Sequence, residues 1–422
     1  MNFFKSFSTG FIALLLVSSI SFSTDFVFEN DQFSFQALRT AGYTFSGGAD
    51  IGECLSICSR IEEADTESWY NEWFSAALSL KQSAETFLTE GAIKSAEECF
   101  FRASGYFRTA EFYLRSNPDD SRALVTWQNS RDCFLAGAEL SDRLIIPVKI
   151  PFEDTFLPAY LCLVDSSKTI RPMIIAHSGF DGTKEELYFS IGKSAINRGY
   201  NCLVFEGPGQ GQVIREQGIP FRPNWESVVT PVVDYVFNLT TTDTSKVVLI
   251  GYSMGGYLAP RAVAYEHRIV ACVANGATYS MYANAIRNNP ENIDEILDNA
   301  DASKEYDENI YAAMEENLFV KWFYTNGIWT FQVNTPSDLM RSMQEYTLEN
   351  CVQNISCPML ILDSENDALV GNQAEILFDS LTCQKEYILF TEEEGADEHC
   401  QMGATQLSNE RIFAWLEKIL NQ

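Results

Sequence analysis

The 422-residue chain is long enough for two packed units, and its 46% hydrophobic and 13% aromatic residues describe a globular protein with ample core. With 29 Lys and Arg against 58 Asp and Glu the formal net charge is -29, and no local basic patch offsets it, which excludes nucleic acid as an expected partner. Eleven cysteines leave at least one thiol unpaired, and with three histidines and Cys54 and Cys58 as the one close pair, no metal site is expected.

At the N-terminus, Lys5, the apolar run Phe11 to Val17 and the small or polar stretch Ser18 to Thr24 give residues 1–23 the layout of a secretory signal, with Ser21 and Ser23 at the cleavage site. Export to the periplasm or outside the cell is the expectation, and an N-terminal apolar helix of a cytoplasmic protein is the alternative. The run is too short to span a bilayer, and no other segment is apolar enough, so no stable membrane insertion is expected.

Residues 24–142 read as an N-terminal helical domain. From about Glu62 to Leu140 the pattern is helical, with Trp69, Trp73, Ala76 and Leu80 at helix-face spacing and a second aromatic-rich stretch from Ala92 to Leu114. These stripes are read as packing between helices rather than as a ligand box. Asn117-Pro118-Asp119-Asp120 breaks the run and Ser121 opens a further helix.

After Asp142 the pattern changes, and residues 143–422 read as a second domain. Leu144 to Ile150 and Leu157 to Val164 form an antiparallel pair. Met173 to His177, Cys202 to Phe205, Val247 to Gly251, Val270 to Ala274, Met359 to Asp363 and Tyr387 to Phe390 are strands with helices between them. That alternation predicts an α/β fold with a doubly wound, mostly parallel sheet whose active site lies at the carboxyl ends of the strands. Residues 279–346, with Trp322, Phe323, Tyr324 and Trp329, interrupt the alternation as a helical insertion above the sheet.

The strongest local signal is Gly251-Tyr252-Ser253-Met254-Gly255, placed between an apolar strand and a helix. Strand, pentapeptide and helix together describe the sharp turn that lifts a nucleophilic serine above an α/β-hydrolase sheet. A serine hydroxyl needs a base. Of the three histidines, His267 falls at a helix end and His177 precedes the serine, whereas His399 lies beyond the last strand and fits the order Ser, Asp, His of this fold. The orienting acid is expected just past Leu360-Ile361-Leu362; Asp367 is preferred to the strand-end Asp363 and to Glu365. Backbone donors for the developing oxyanion are assigned to Met254 and, in the loop Ser178 to Gly182, to Phe180.

Phe205-Glu206-Gly207-Pro208-Gly209-Gln210-Gly211, Phe221 to Glu226, Gly251 to Gly255, Glu398 to Gln401 and the helical Gly105 to Phe112 together resemble the family that contains 2,6-dihydropseudooxynicotine hydrolase, the fermentation-respiration switch protein and the fungal yellowish-green pigment (polyketide-shortening) hydrolases. The resemblance implies an N-terminal helical region joined to an α/β-hydrolase domain with the substrate enclosed between them, and a Ser253, Asp367 and His399 triad. It implies a small carbonyl substrate, either an ester or a ketone whose C–C bond is cleaved, and no metal or organic cofactor. It also implies an acidic substrate-holding residue near the oxyanion loop, for which Asp181 is chosen over Glu185 and Glu186. A secretory leader departs from the cytosolic relatives. A peptidase or amidase, and a catalytically silent binding protein of the same fold, remain as alternatives, and a homodimer stays open.

Overall fold

The computed structural model describes residues 26–117, 119–289 and 292–421. The secretory-signal layout and Pro118 therefore lie outside the described residues. The helical region holds α1 (Asp31–Ala41), α2 (Ile51–Cys58), α3 (Thr66–Thr89), α4 (Ile93–Glu111) and α5 (Ser121–Leu140). Asp50, Asp65 and Asp120 cap α2, α3 and α5, each accepting amide hydrogen bonds from the first helical turn, which supplies partners for N–H groups that have none inside a helix. The inward row of α3 runs Trp69, Trp73, Ala77 and Ala84, so the expected row through Ala76 and Leu80 is displaced by one residue after its first turn. Trp69 is the centre of this core, in ring contact with Phe33 at 4.7 Å and Tyr113 at 5.4 Å, while its indole N–H donates to the Thr109 carbonyl. The aromatic stripe of α3 and α4 is packing, as read.

The second region is one eight-stranded sheet in the order β1-β2-β4-β3-β5-β6-β7-β8. Its strands are β1 (Leu144–Phe152), β2 (Thr155–Leu163), β3 (Arg171–His177), β4 (Asn201–Phe205), β5 (Thr242–Tyr252), β6 (Ala271–Asn275), β7 (Met359–Ser364) and β8 (Lys385–Phe390). β1 and β2 are antiparallel to each other and β2 to β4, and every later pairing is parallel. Every residue of β4, β6 and β7 is buried, which requires cover on both faces and explains the apolar runs Cys202 to Phe205, Ala271 to Ala274 and Met359 to Leu362 within them. Helices α6 (Lys184–Leu187), α7 (Lys193–Asn197), α8 (Glu226–Phe237) and α9 (Gly255–Val263) follow β3, β4 and β5 in the connections. The insertion between β6 and β7 is helical, with α10 (Met281–Ala285), α11 (Ile293–Asp298), α12 (Ala300–Glu316), α13 (Leu318–Phe331) and α14 (Pro336–Met343). Helices α15 (Gln373–Ser380) and α16 (Thr405–Leu420) complete the chain. Among the described residues no helix is long and apolar enough to cross a membrane.

Candidate active site

The parallel strands deliver His177, Tyr252, Asn275 and Ser364 to one edge of the sheet, the carboxyl edge. Directly after β5 the chain turns so sharply into α9 that Ser253 takes φ of 61°, a left-handed conformation that costs a non-glycine residue about 1–3 kcal/mol and is held here by its surroundings. The Ser253 amide donates to the Asn275 carbonyl at 2.9 Å, and a Cβ on Gly251 would stand 2.0 Å from the Gly255 carbonyl oxygen. The flanking glycine is therefore a steric requirement of this turn.

His399 lies in the segment after β8 and Asp367 in the turn after β7, and the fold brings both to Ser253. His399 Nε2 is 2.9 Å from Ser253 Oγ, and His399 Nδ1 is 2.7 Å from Asp367 Oδ2. The second oxygen of Asp367 accepts the amides of Leu369 and Val370 at 2.9 and 3.1 Å, which fixes the carboxylate against the ring. Burial disfavours charge on the His399 imidazole, but the Asp367 carboxylate outweighs it and, with the Cys400 thiol, holds the pKa well above 6.5. The other acid candidates point elsewhere. Asp363 accepts from the Tyr387 hydroxyl at 2.5 Å and burial pushes its pKa up to about 6, while Glu365 accepts the Glu392 amide.

The loop Ser178 to Gly182 runs alongside the serine turn, so close that a Cβ on Gly179 would lie 2.4 Å from the Met254 amide nitrogen. Among the described residues neither the Met254 nor the Phe180 amide donates to a protein acceptor, and both residues line the same cavity as Ser253. Asp181 is partly buried between two guanidinium groups, with Arg39 and Arg108 each 2.8 Å from its Oδ2. Burial alone would raise its pKa, yet these arginines and Arg115 hold it well below the ordinary carboxylate range. Of the three acidic candidates only Asp181 borders the cavity above Ser253; Glu186 is taken up by Arg39, Arg108 and Tyr43, and Glu185 by Lys184 and Tyr160.

That cavity has a volume of about 480 Å³, within the range of sites that enclose drug-sized molecules. Ser253 and His399 form its floor, Phe35 and Arg39 of α1 one wall, and Phe319, Trp322, Phe323 and Tyr324 of α13 another. A second, more polar hollow of about 520 Å³ shares Asn317 with it but is bordered by none of the candidate catalytic, oxyanion or substrate-holding residues. Among the described residues no group of His, Cys, Asp and Glu is arranged to hold a metal ion. Two contributors went unread in the sequence. Arg39 sits on α1, nine of whose eleven residues are buried, so its polar side faces protein rather than solvent. Cys400, at φ of 56°, accepts the Ser253 amide on Sγ at 3.2 Å and stands 3.5 Å from His399 Nε2; its place directly after His399 was the only signal.

The fold and the arrangement at the strand ends define the class: the chain belongs to the alpha/beta hydrolase family, whose pattern matches residues 173–403. It is 31% identical over 420 residues to hydrolase acrC of Aspergillus aculeatus, covering 93% of this chain and 97% of that one. It is likewise 31% identical over 407 residues to 20-hydroxy-prefusarin hydrolase FUS2 of Gibberella moniliformis, with 93% and 97% covered. Among solved structures it is similar to 2,6-dihydroxy-pseudo-oxynicotine hydrolase, with a TM-score of 0.69 at 19% identity over 90% of this chain and 95% of that one, a likeness of fold. Family and relatives make the chain a hydrolase, and the resemblance drawn from its motifs is met.

Proposed function

We propose that the chain is a serine hydrolase acting on a small carbonyl compound enclosed between the helical region, the insertion and the sheet. The observation that carries this reading is the continuous contact from Ser253 Oγ through His399 to Asp367, at 2.9 and 2.7 Å, on the floor of the cavity. Ser253 Oγ attacks the carbonyl carbon while its proton passes to His399 Nε2; Asp367 holds the ring in the tautomer that can accept it and stabilises the resulting imidazolium. The amides of Met254 and Phe180 donate to the oxyanion. Collapse of the tetrahedral adduct breaks the bond to the leaving group, which takes the proton from His399, and water then releases the acyl group by the same steps in reverse. The leaving group is an alkoxide for an ester and a stabilised carbanion for a β-diketone. Asp181, kept ionised by its arginines, is the acceptor offered to a polar substituent of the substrate.

Similarity to a protein named 20-hydroxy-prefusarin hydrolase supports a polyketide-type carbonyl compound over a peptide. A fluorophosphonate probe should label the wild type covalently and leave Ser253→Ala unlabelled, whereas an unreactive wild type would return the chain to the binding-protein reading. Product analysis with an aryl ester and a β-diketone then separates the two chemistries, since turnover of the ester alone ends the C–C assignment.

A further inference from the structure

The Phe180 amide can serve an oxyanion only if its peptide plane is fixed, and the loop that carries it has no helix or strand of its own from Ser178 to Gly182. Four successive carbonyls of that loop accept hydrogen bonds from side chains of three distant segments. Gln210 Nε2 donates to the carbonyls of Ser178 at 2.6 Å and Gly179 at 3.2 Å. Asn326 Nδ2, from α13 of the insertion, donates to the Phe180 carbonyl at 3.1 Å. Arg115, from the helical region, donates to the Asp181 carbonyl at 2.8 Å.

A trans peptide places its C=O and N–H on opposite sides. The peptide that ends in the Phe180 amide begins with the Gly179 carbonyl, so pinning that oxygen to Gln210 turns the Phe180 N–H to the other side. Asn326 and Arg115 then prevent the next two peptides from rotating it back. Gln210 is itself fixed, because its Oε1 accepts the Gly207 amide at 2.9 Å, and it is 2% exposed. The glycine-rich motif Phe205 to Gly211 thus acquires a purpose beyond a tight turn. Arg115 is similarly anchored by Glu111, which also binds Arg215.

We propose that Gln210, Asn326 and Arg115 are positioning residues that suspend the oxyanion loop from the glycine-rich motif, the insertion and the helical region, so that the Phe180 amide is aimed before substrate arrives. This inference rests on the serine-hydrolase reading and extends it. It gives the N-terminal helices a part in the chemical step that is independent of any contact they make with substrate.

The test uses the smallest aryl acetate that the protein turns over, so that contacts with the helical walls count least, with Gln210→Met, Asn326→Leu, Arg115→Met and Arg115→Lys. Loss of a whole oxyanion donor costs about 10²- to 10³-fold in kcat. Mis-aiming one should lower kcat by about 10- to 100-fold in Gln210→Met with KM little changed, less in the other two removals, and Arg115→Lys should recover much of the loss. Affinity for a boronic-acid transition-state analogue should weaken by the same factor as kcat/KM. Unchanged kcat and analogue affinity in a folded Gln210→Met protein, or losses confined to KM for bulky substrates, would overturn the proposal. Should Gln210→Met fail to fold, Asn326→Leu and the two Arg115 variants carry the same readouts. A wild type without Ser253-dependent turnover of any acyl compound would instead sink the serine-hydrolase reading itself.

Discussion

Two segments at the carboxyl edge of the sheet each carry a buried histidine, and the two rings are held in opposite states. His177 ends β3 with no exposed surface, set between Phe205 and Trp225 at ring distances of 5.5 Å each. Its Nδ1 meets the Ser178 carbonyl at 3.0 Å, its Nε2 has no partner among the described residues, and burial pushes its pKa down to about 4. His399 is almost as buried, at 5% exposure, yet its pKa is raised because Asp367 faces Nδ1. Burial alone silences an imidazole, and burial beside a fixed carboxylate makes it basic. The second ring is the one that faces a serine hydroxyl.

The largest expected effect tests which histidine is the base. His399→Ala should lower kcat by about 10⁵- to 10⁶-fold, because members of such a triad act as a unit, while His177→Phe should stay within a few-fold of wild type, since Gln210 continues to hold the Ser178 carbonyl. Comparable losses from both substitutions, measured with one ester, would erase the contrast. Next in size, Asp367→Asn keeps the shape of the site but offers the imidazole the wrong tautomer, and about 10⁴-fold in kcat is expected to disappear.

The same carboxylate sets the pH dependence. A raised pKa leaves His399 protonated, and unable to accept the serine proton, until pH exceeds it; kcat/KM should therefore rise with pH along a limb centred above 6.5. In Asp367→Asn the limb should move to lower pH, towards the value that burial dictates. A wild-type limb below 6.5 would show that Asp367 does not control the ring.

Much of this comparison could be read from the chain. The strands β3 to β7 each hold an uninterrupted apolar run because both faces are covered there, so they declared themselves as strands, and the serine turn was marked by its two glycines. Chain order then ranked His399 above His177 without any distance. Local pattern stopped at interactions between remote segments. Helix α1 sets Phe33, Ala37 and Ala41 on one face and Gln32, Gln36 and Arg39 on the other, but both faces are buried, so its polar face marks contacts with remote segments rather than solvent; it lies ahead of the helical pattern that begins near Glu62. Arg39 and Arg108 were equally silent: their partner Asp181 lies 142 and 73 residues away, and a buried arginine has no sequence mark apart from its partner. The strand ends differed for a milder reason, since β5 begins at Thr242 with polar residues that precede the apolar core of the strand.

The smallest effect concerns stability rather than rate and belongs to His177. Its folded pKa of about 4 lies below the ordinary 6.5, so below that ordinary value the unfolded chain binds a proton that the native ring refuses. The stabilising contribution is complete above pH 6.5 and drains away as pH falls through about 4. A gap of this size corresponds to a loss on the order of 3 kcal/mol across the window. His177→Phe keeps an aromatic ring between Phe205 and Trp225 and removes the titration, so its unfolding free energy, read from urea midpoints at pH 7 and pH 4, should fall by about that much less than the wild type's. Equal losses in the two proteins would mean that His177 binds a proton in the folded state, and the contrast with His399 would then rest on the serine contact alone.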